Sequence, residues 1–397
     1  MEQGLPSLPN GWHKKQLGDV VKLSQGTQVP VGDQYLEQED GLIRFLRISD
    51  FVRSDEPPRY ILNPGSQYLV EADDICMIRY GDAGRAVTGL AGALANNLFK
   101  ISPIESLLKR FLFLQLCSPR CVDYLRAANN SSTMPAISFK AVNAMEVSVA
   151  PLDEQKRIVE KLNALLTRID TAIEHLQESV TLADALSKNG LSEIFESLKD
   201  RYEVVPLSSV VKINSGIALP KLFKNGFSDG DIPFFKVAQM NNHHETMVAP
   251  EITFNETVAK EHKIKIFPKG STLIPKRGGA ILTNKKRMLL EDASYDSNIM
   301  GLKADESKIS DEYLFAFMRI IDLANFVDAS TIPQVNNKHI DQMQIPLASI
   351  EEQADVVSRV NLLVKKVETM NSEIQRQLDD LQALKSSILD SAFKGEL

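Results

Sequence analysis

The stretch DEQKRIVEKLNALLTRID lies at positions 153–170, and EEQADVVSRVNLLVKKVE lies at positions 351–368. Both copies begin with two acidic residues and a glutamine, and apolar residues then fall at the same places. The offset of 198 residues holds without a gap beyond the quoted stretches, as far as Phe195 and Phe393. Because a chance match would need gaps over such a length, the chain contains an internal duplication.

The repeated segments predict two long helices. Their apolar residues recur every three or four positions, which is the spacing of one helix face, and the acidic pairs stand where a helix N-terminus favours negative charge. The run 188–190 (Lys-Asn-Gly) indicates a stop or a weak point in the first helix. The predicted seam consists of Ile158, Leu162, Leu165, Ile169 and Leu176 in the first copy and of Val356, Val360, Leu363, Val367 and Ile374 in the second.

An apolar seam of this length must pack against a partner, and the other copy is the simplest partner. We therefore expect the two helices to pack as an antiparallel coiled coil. The alternative is a pair of ordinary core helices. Some 35 to 45 residues at about 1.5 Å each would make rods of roughly 50–65 Å, which is long for the core of a domain.

The blocks between the helices are also related, more loosely. Residues 11–30 align with 201–220, and residues 74–84 align with 271–281. Short runs rich in Val, Ile and Phe, separated by Gly, Pro, Asn and Asp, predict strands joined by turns, with one helix near 111–116 or 313–318. The expected fold is α+β with internal pseudo-twofold symmetry. Its segments are strand-rich domains at 1–151 and 200–349 and long helices at 152–199 and 350–397.

The charge and composition of the chain do not exclude DNA as a ligand. The net charge is −7, but the helical segments carry −3 each, while the two strand-rich blocks are nearly balanced at −1 and 0. A balanced block can still present a basic face. The chain has only three cysteines, which is typical of a reducing compartment. It shows neither a basic and apolar N-terminal leader nor an apolar run of about 20 residues. We therefore expect a cytoplasmic chain that does not contact a membrane.

The sequence contains none of the motifs that would indicate catalysis. It has no phosphate-binding loop, no amino-methyltransferase motif and no glycine-rich cofactor fingerprint. His243-His244 and the Cys117–Cys121 pair have no second ligand pair at metal-binding spacing, so we interpret them as structural or surface residues. We expect no metal site.

The repeated architecture suggests a class of function. An antiparallel pair of like helices would hold two strand-rich domains in inverted orientation at opposite ends of a rod. Double-stranded DNA suits such a molecule, because half-sites on one face of the duplex repeat about every 34–36 Å. A rod of roughly 50 Å spans about one to one and a half turns.

Several stretches, taken in order, resemble the specificity subunit of type I restriction–modification enzymes. They are LPNGWHKKQLGDVVKLSQGT near the start, LIRFLRISD and IPFFKVAQM in the strand-rich blocks, PLDEQKRIVEKLNALLTRID and IEEQADVVSRVNLLVKKVE at the helix starts, and ILDSAFKGEL at the close. The resemblance covers essentially the whole chain. It implies two target-recognition domains that each read half of a split DNA sequence, with the helices setting the spacer.

The resemblance also implies partners and a division of chemistry. Two methyltransferase subunits would dock beside the helices, and ATP-dependent translocating restriction subunits would join the full complex. This chain would be non-catalytic and would bind no cofactor, while S-adenosylmethionine, ATP and Mg would bind the partner subunits. The alternatives are an orphan specificity subunit that only redirects DNA methylation, and a coiled-coil scaffold or adhesin with no role in DNA binding. An enzyme in its own right is the weakest alternative.

Candidate DNA-contacting residues are cations, amides and glycines in turns at equivalent positions of the two halves, because such groups bind phosphates and base edges. Each also has the plainer interpretation of a solvated polar turn. The first pair of turns contributes Arg79, Tyr80, Gly81 and Arg85, matched by Lys276, Arg277, Gly278, Lys285, Lys286 and Arg287. The second contributes Asn129, Asn130, Ser131 and Lys140, matched by Asn336, Asn337 and Lys338, and Lys236 lies at a strand end.

Both helices carry more apolar residues than a two-stranded seam needs. The residues predicted to lie off the seam are Leu166, Ile173, Leu182, Val357, Leu362 and Val364. We expect helices of the methyltransferase subunits to pack on them.

Overall fold

A computed structural model describes residues 9–53, 55–128, 136–328 and 332–397. The chain divides into two compact units. The first unit comprises Met1–Gln177 and Gln375–Leu397, and the second comprises Glu178–Ile374. Each unit therefore contains one strand-rich domain together with one part of each long helix.

The first unit builds its domain from two four-stranded sheets and one strand pair. The order is β2-β9-β6-β7 in one sheet, β4-β3-β8-β5 in the other, and β1 pairs with β10. The strands are β1 (His13–Gln16), β2 (Val21–Gln25), β3 (Leu42–Leu46), β4 (Arg59–Leu62), β5 (Leu69–Val70), β6 (Ile75–Ile78), β7 (Ala86–Val87), β8 (Gly92–Leu94), β9 (Leu98–Pro103) and β10 (Glu146–Val149). The helices are α1 (Ile48–Val52), α2 (Lys109–Leu116), α3 (Pro119–Ala127), α4 (Phe139–Asn143) and α5 (Leu152–Lys199), and α5 continues into the second unit.

The second unit repeats this plan. The order is β12-β19-β16-β17 in one sheet, β13-β15-β14-β18 in the other, and β11 pairs with β20. The strands are β11 (Val204–Pro206), β12 (Val211–Ser215), β13 (Phe227–Asp229), β14 (Ile232–Phe235), β15 (Ile252–Phe254), β16 (Thr272–Pro275), β17 (Arg287–Met288), β18 (Ser294–Tyr295), β19 (Ile299–Ala304) and β20 (Gln344–Pro346). The helices are α6 (Glu256–Glu261), α7 (Asp311–Ile320), α8 (Asn337–Gln342) and α9 (Ile350–Lys394).

The first sheet has the same strand order in both units, while the second sheet differs at one edge. Strands β4-β3-β8 correspond to β15-β14-β18, with one antiparallel and one parallel pairing in each. The first unit adds β5 beside β8, whereas the second adds β13 beside β15. The duplication therefore preserves the inner strands and varies the edges.

Within each unit the two helices run antiparallel. In the first unit Lys385 Nζ lies 2.6 Å from Asp170 Oδ1, and Arg157 donates to the Leu397 carbonyl at 3.2 Å. In the second unit Asn371 donates to Asp184 at 3.0 Å. As the residue number increases along α5, the number of the residue that it contacts near the C-terminus decreases, which is the pattern of two antiparallel helices. The predicted α+β fold with two strand-rich domains and two long helices is confirmed, and antiparallel pairing is present inside both units.

The first helix does not stop at 188–190, contrary to one expectation from the sequence. Helix α5 is continuous through Gly190, which lies in the second unit. A Cβ added to Gly190 would lie 3.0 Å from Leu363 Cδ2. The glycine therefore permits close approach to α9 rather than ending α5.

The buried stripe of α5 differs in part from the predicted seam. The buried apolar residues of α5 in the first unit are Ile158, Leu162, Leu166, Ile169 and Ile173, whereas Leu165 and Leu176 are only partly buried. Leu166 belongs to the same apolar cluster as Leu389 and Phe393 of α9. The prediction that Leu166 and Ile173 face partner subunits is therefore wrong, because this chain covers both.

Helix α9 shows the same anchoring at its start. Val356 and Val360 are fully buried in the core of the second domain, and Ile374 is buried as well. Leu363 and Val367 are half-buried. The start of each long helix thus packs on its strand-rich domain as well as on the end of the other helix. In the described part of the chain, we find no helix with the length and apolar character needed to cross a membrane.

Candidate nucleic-acid interface

The loop after β6 in the first unit is fixed at both ends by backbone hydrogen bonds. The Arg79 N–H donates to the Asn97 carbonyl at 2.9 Å, and the Ile137 N–H donates to the Arg79 carbonyl at 3.0 Å. At the far end, the Ile78 N–H donates to the Arg85 carbonyl at 2.9 Å. Gly81 lies between these fixed points, exposed and with φ of 77°.

The second unit uses the same scheme. The Lys276 N–H donates to the Asn298 carbonyl at 2.7 Å, and the Val335 N–H donates to the Lys276 carbonyl at 3.0 Å. Gly278, with φ of 75°, donates to the Pro333 carbonyl at 2.9 Å. Two turns therefore lie side by side, near 276–278 and 333–338, although they are separate candidates in the sequence.

The cations of these loops differ in how free they are. Arg277 is exposed and makes no ion pair among the described residues. Lys140, on α4, is also exposed. Arg85 pairs with Asp82 at 3.1 Å. Because an exposed ion pair contributes less than about 1 kcal/mol, a phosphate can replace such a partner at little cost.

Other candidate cations bind groups of their own unit. Lys236 pairs with Glu251 at 3.0 Å, and Lys338 pairs with Asp328 at 2.6 Å. Lys285 is half-buried. These three residues lie at the surface or near it, so their contacts with DNA stay predictions.

Two candidates are excluded by burial. Lys286 donates to Asn284 Oδ1 at 2.7 Å and to the Ile321 carbonyl, and burial lowers its pKa to about 8. Arg287 is buried and donates to the Asn242 carbonyl at 2.8 Å. The prediction that both contact DNA is wrong, because the side chains of Lys286 and Arg287 are buried in the domain and bind backbone carbonyls there.

The second group of candidates has a structural component. Asn336 caps α8, since its side chain accepts from the Lys338 N–H at 3.1 Å and donates to Asp328 at 3.1 Å. Asn337 is exposed at the first position of the helix. Tyr80 stacks under the Arg79 guanidinium at 5.3 Å. Asn129, Asn130 and Ser131 lie outside the described residues.

Sequence reasoning missed three amides beside Arg79. Arg79 Nη1 donates to Gln25 Oε1 at 3.1 Å, and the Gln25 amide donates to the Asn96 carbonyl. The Asn96 amide donates to Gln28 Oε1 at 3.4 Å. The sequence did carry a signal, because Gln25 and Gln28 lie on either side of Gly26 and Thr27, and Gly26 aligns with Gly216 of the other half.

Both halves of the chain match a known protein family. The family model described as "Type I restriction modification DNA specificity domain" matches residues 9–182 and 199–379. The chain belongs to this family. The two matches fall on the two halves of the internal duplication, and the resemblance deduced from the sequence is confirmed.

Curated relatives match this specificity-domain chain over nearly its full length. It is 23% identical to the type I restriction enzyme EcoBI specificity subunit of Escherichia coli, across 99% of this chain and 88% of the relative. It is 19% identical to the MjaVIII specificity subunit of Methanocaldococcus jannaschii, across 98% and 94%.

Solved structures share the fold of the family member described here. A chain from a study of complex assembly and conformational transition of the type I restriction–modification system matches with a TM-score of 0.76 and 19% identity, covering 98% of this chain and all of that one. The HsdS subunit from Thermoanaerobacter tengcongensis matches with a TM-score of 0.53 and 20% identity over both full lengths. At this level of identity the likeness concerns the fold.

Proposed function

We propose that this chain is the non-catalytic DNA-specificity subunit of a type I restriction–modification complex. Each strand-rich domain reads one half of a split DNA site. The observation that carries the proposal is the repeated loop scheme, in which two equivalent backbone hydrogen bonds in each unit present different side chains. A shared scaffold with different side chains suits a protein that recognises two unlike half-sites by one type of contact.

Chemistry belongs to the partners in this proposal. Methyltransferase subunits bind S-adenosylmethionine and methylate the DNA, and restriction subunits use ATP and Mg. Helix α5, of 48 residues, connects the two domains along the chain, and together with α9, of 45 residues, it sets the unspecified spacer between the half-sites. In the described part of the chain, no cluster of three metal-binding side chains is found.

The proposal predicts that DNA affinity depends on the exposed loop cations. Arg277→Ala should weaken binding of the full chain with its methyltransferase subunits to a duplex carrying its site by about tenfold, since one good contact is worth about 1–3 kcal/mol. The slope of log affinity against log salt should fall by about one. Fluorescence anisotropy at several salt concentrations measures both quantities.

Lys212→Ala is the matched control, because Lys212 is an exposed cation in the same unit that lies on β12, outside the loops. Equal losses for the two variants would remove Arg277 from the interface. A wild-type complex without salt-dependent DNA affinity would overturn the proposed function and favour the scaffold alternative.

The exposed leucines of the helices are the proposed docking surface for methyltransferase subunits. Leu182 is 69% exposed and Leu362 is 55% exposed, while Val357 and Val364 are half-buried. Leu362→Glu should weaken co-purification with the methyltransferase subunit at least thirtyfold, because burying a leucine contributes about 2 kcal/mol and a buried charge costs more.

Leu290→Glu is the control for this experiment. Leu290 is 54% exposed and lies between β17 and β18, in the strand-rich domain of the same unit. If Leu362→Glu and Leu290→Glu retained equal amounts of methyltransferase, the helix surface would not be the docking site.

A further inference from the structure

The two units present equivalent corners built on one backbone scheme. Gly26 donates to the Leu98 carbonyl at 3.1 Å, and Gly216 donates to the Ile299 carbonyl at 3.0 Å. The residue after each glycine forms a parallel bridge, Thr27 with Ala95 and Ile217 with Asp296. These bonds, with those of Arg79 and Lys276 to the neighbouring turn, place side chains at matching positions. Corner 1 consists of Gln25, Gln28, Arg79 and Asn96, and corner 2 consists of Ser215, Ala218, Lys276 and Ser297.

Corner 1 is a chain of planar hydrogen-bonding groups. The guanidinium of Arg79 bonds to Gln25, and the Asn96 amide bonds to Gln28. Gln28 and Asn96 are exposed. Among the described residues, the Gln28 amide nitrogen, the Asn96 side-chain oxygen and Arg79 Nη2 make no further hydrogen bond. Corner 1 therefore offers donors and an acceptor to a ligand while its own bonds hold the side chains in place.

Corner 2 has a different chemistry at the same positions. Lys276 Nζ donates to Ser215 Oγ at 3.0 Å. Ala218 has no polar side-chain group, and Ser297 is exposed with a single hydroxyl. An ammonium ion and hydroxyls suit phosphate contacts, but they lack the planar pair of groups that a bidentate contact needs.

The chemistry of corner 1 points to purine bases. A guanidinium binds the O6 and N7 atoms of guanine, and the amide of Gln or Asn binds the N6 and N7 atoms of adenine, each through two hydrogen bonds in the major groove. We propose that corner 1 is the element by which the first unit selects purines in its half-site. This inference rests on the proposed function and adds the base class and the residues that select it.

Rigidity supports base reading at this corner. A Cβ on Gly26 would lie 2.1 Å from the Ala95 carbonyl oxygen, so the backbone between Gln25 and Gln28 is held in close contact with the turn that carries Asn96. Side chains that read bases must be held within a fraction of an ångström by their support. The same close approach recurs at Gly216, where an added Cβ would lie 2.0 Å from the Asp296 carbonyl oxygen, so the corners differ in side chains and not in support.

The test transfers the side chains of corner 2 to corner 1. The variant carries Gln25→Ser, Gln28→Ala, Arg79→Lys and Asn96→Ser in the full chain, expressed with its methyltransferase subunits. Genome-wide mapping of methylated motifs measures which bases each half-site requires. We expect the spacer and one half-site to stay unchanged, while discrimination at one or two purines of the other half-site falls roughly tenfold to a hundredfold.

Two further variants keep the result interpretable. Gln28→Ala with Asn96→Ser changes only exposed residues and should relax the same half-site if the fourfold variant fails to fold. Gln38→Ala changes an exposed glutamine that takes no part in the hydrogen bonds of corner 1 and should leave the motif unchanged. Thermal unfolding of each variant reports on folding.

An unchanged motif in the folded variants would overturn the inference and leave the proposed function intact. Equal weakening on all sequences would also overturn it, because that is the signature of phosphate contacts. A wild-type complex with no split motif would instead overturn the proposed function, and the inference with it.

Discussion

Replacing Gln353 by alanine is expected to lower the free energy of unfolding of the second unit by about 4 kcal/mol. Gln353 is 1% exposed and makes three hydrogen bonds to backbone groups. Its oxygen accepts from the Ser310 N–H at 2.9 Å, and its nitrogen donates to the Lys308 and Ala348 carbonyls at 2.9 Å each. Alanine would remove the partner of one buried and two partly buried backbone groups, and each buried group left unpaired costs about 1–3 kcal/mol.

The position of Gln353 explains why the loss should be large. It lies in the first turn of α9, and Ser310 caps the N-terminus of α7. One side chain thus joins the start of the long helix to the strand-rich domain. Gln155 repeats the arrangement in the first unit, with bonds to Leu108, Ser106 and Ala150 at 2.8–2.9 Å.

Urea unfolding of the full chain, followed by circular dichroism, measures the effect. Gln353→Met separates the lost hydrogen bonds from the lost volume, and it should be nearly as destabilising as alanine. Gln382→Ala is the control, since Gln382 is an exposed glutamine of the same helix. A loss no greater than that of the control would show that the buried amide does not hold helix and domain together.

The second large effect is expected from Gly26→Ala, which should lower the free energy of unfolding of the first unit by about 3 kcal/mol. The new Cβ would lie 2.1 Å from the Ala95 carbonyl oxygen and 2.6 Å from the Leu94 carbonyl oxygen. Both obstacles are backbone atoms, so a change of rotamer cannot relieve the collision. The end of β2 would have to move away from the turn before β9.

Gly32→Ala is the matched control, because an added Cβ there meets nothing within 4 Å. It should leave the unfolding midpoint nearly unchanged, or raise it slightly by restricting the unfolded chain. Thermal unfolding of the two variants compares them directly. Equal midpoints would mean that the turn can retreat from Gly26 without loss.

The periodic part of the chain was well predicted from sequence. Helix α5 begins at Leu152 and α9 at Ile350, as the acidic pairs and the apolar spacing indicated. The predicted short helices appear as α2 and α7. These features depend on residues close together in the chain, and local periodicity reports them directly.

The face of a helix was predicted less well. The expected seam ran through Leu165, but the structure buries Leu166 instead, against the end of α9. A shift of one residue moves a side chain by about 100° around a helix. The apolar spacing alone cannot distinguish Leu165 from Leu166, because adjacent apolar residues fit a period of three to four residues almost equally well.

The candidate interface depended most on tertiary structure. The sequence marked Lys285, Lys286 and Arg287 as one basic group, yet Lys286 and Arg287 are buried inside the domain, where β17 begins at Arg287. It marked Arg79 but not Gln25, whose side chain reaches Arg79 from 54 residues away. Contacts of this kind leave no periodic signal.

By itself, the sequence determined the duplication, the alternation of strand-rich domains and long helices, and the family. Repeats and apolar spacing are recorded in residues near one another, so they can be recognised without coordinates. Only the tertiary structure decided which cations remain free, which leucines stay exposed, and which amides gather beside Arg79. Those outcomes depend on burial and on hydrogen bonds between distant segments, which form only when the sheets and helices pack.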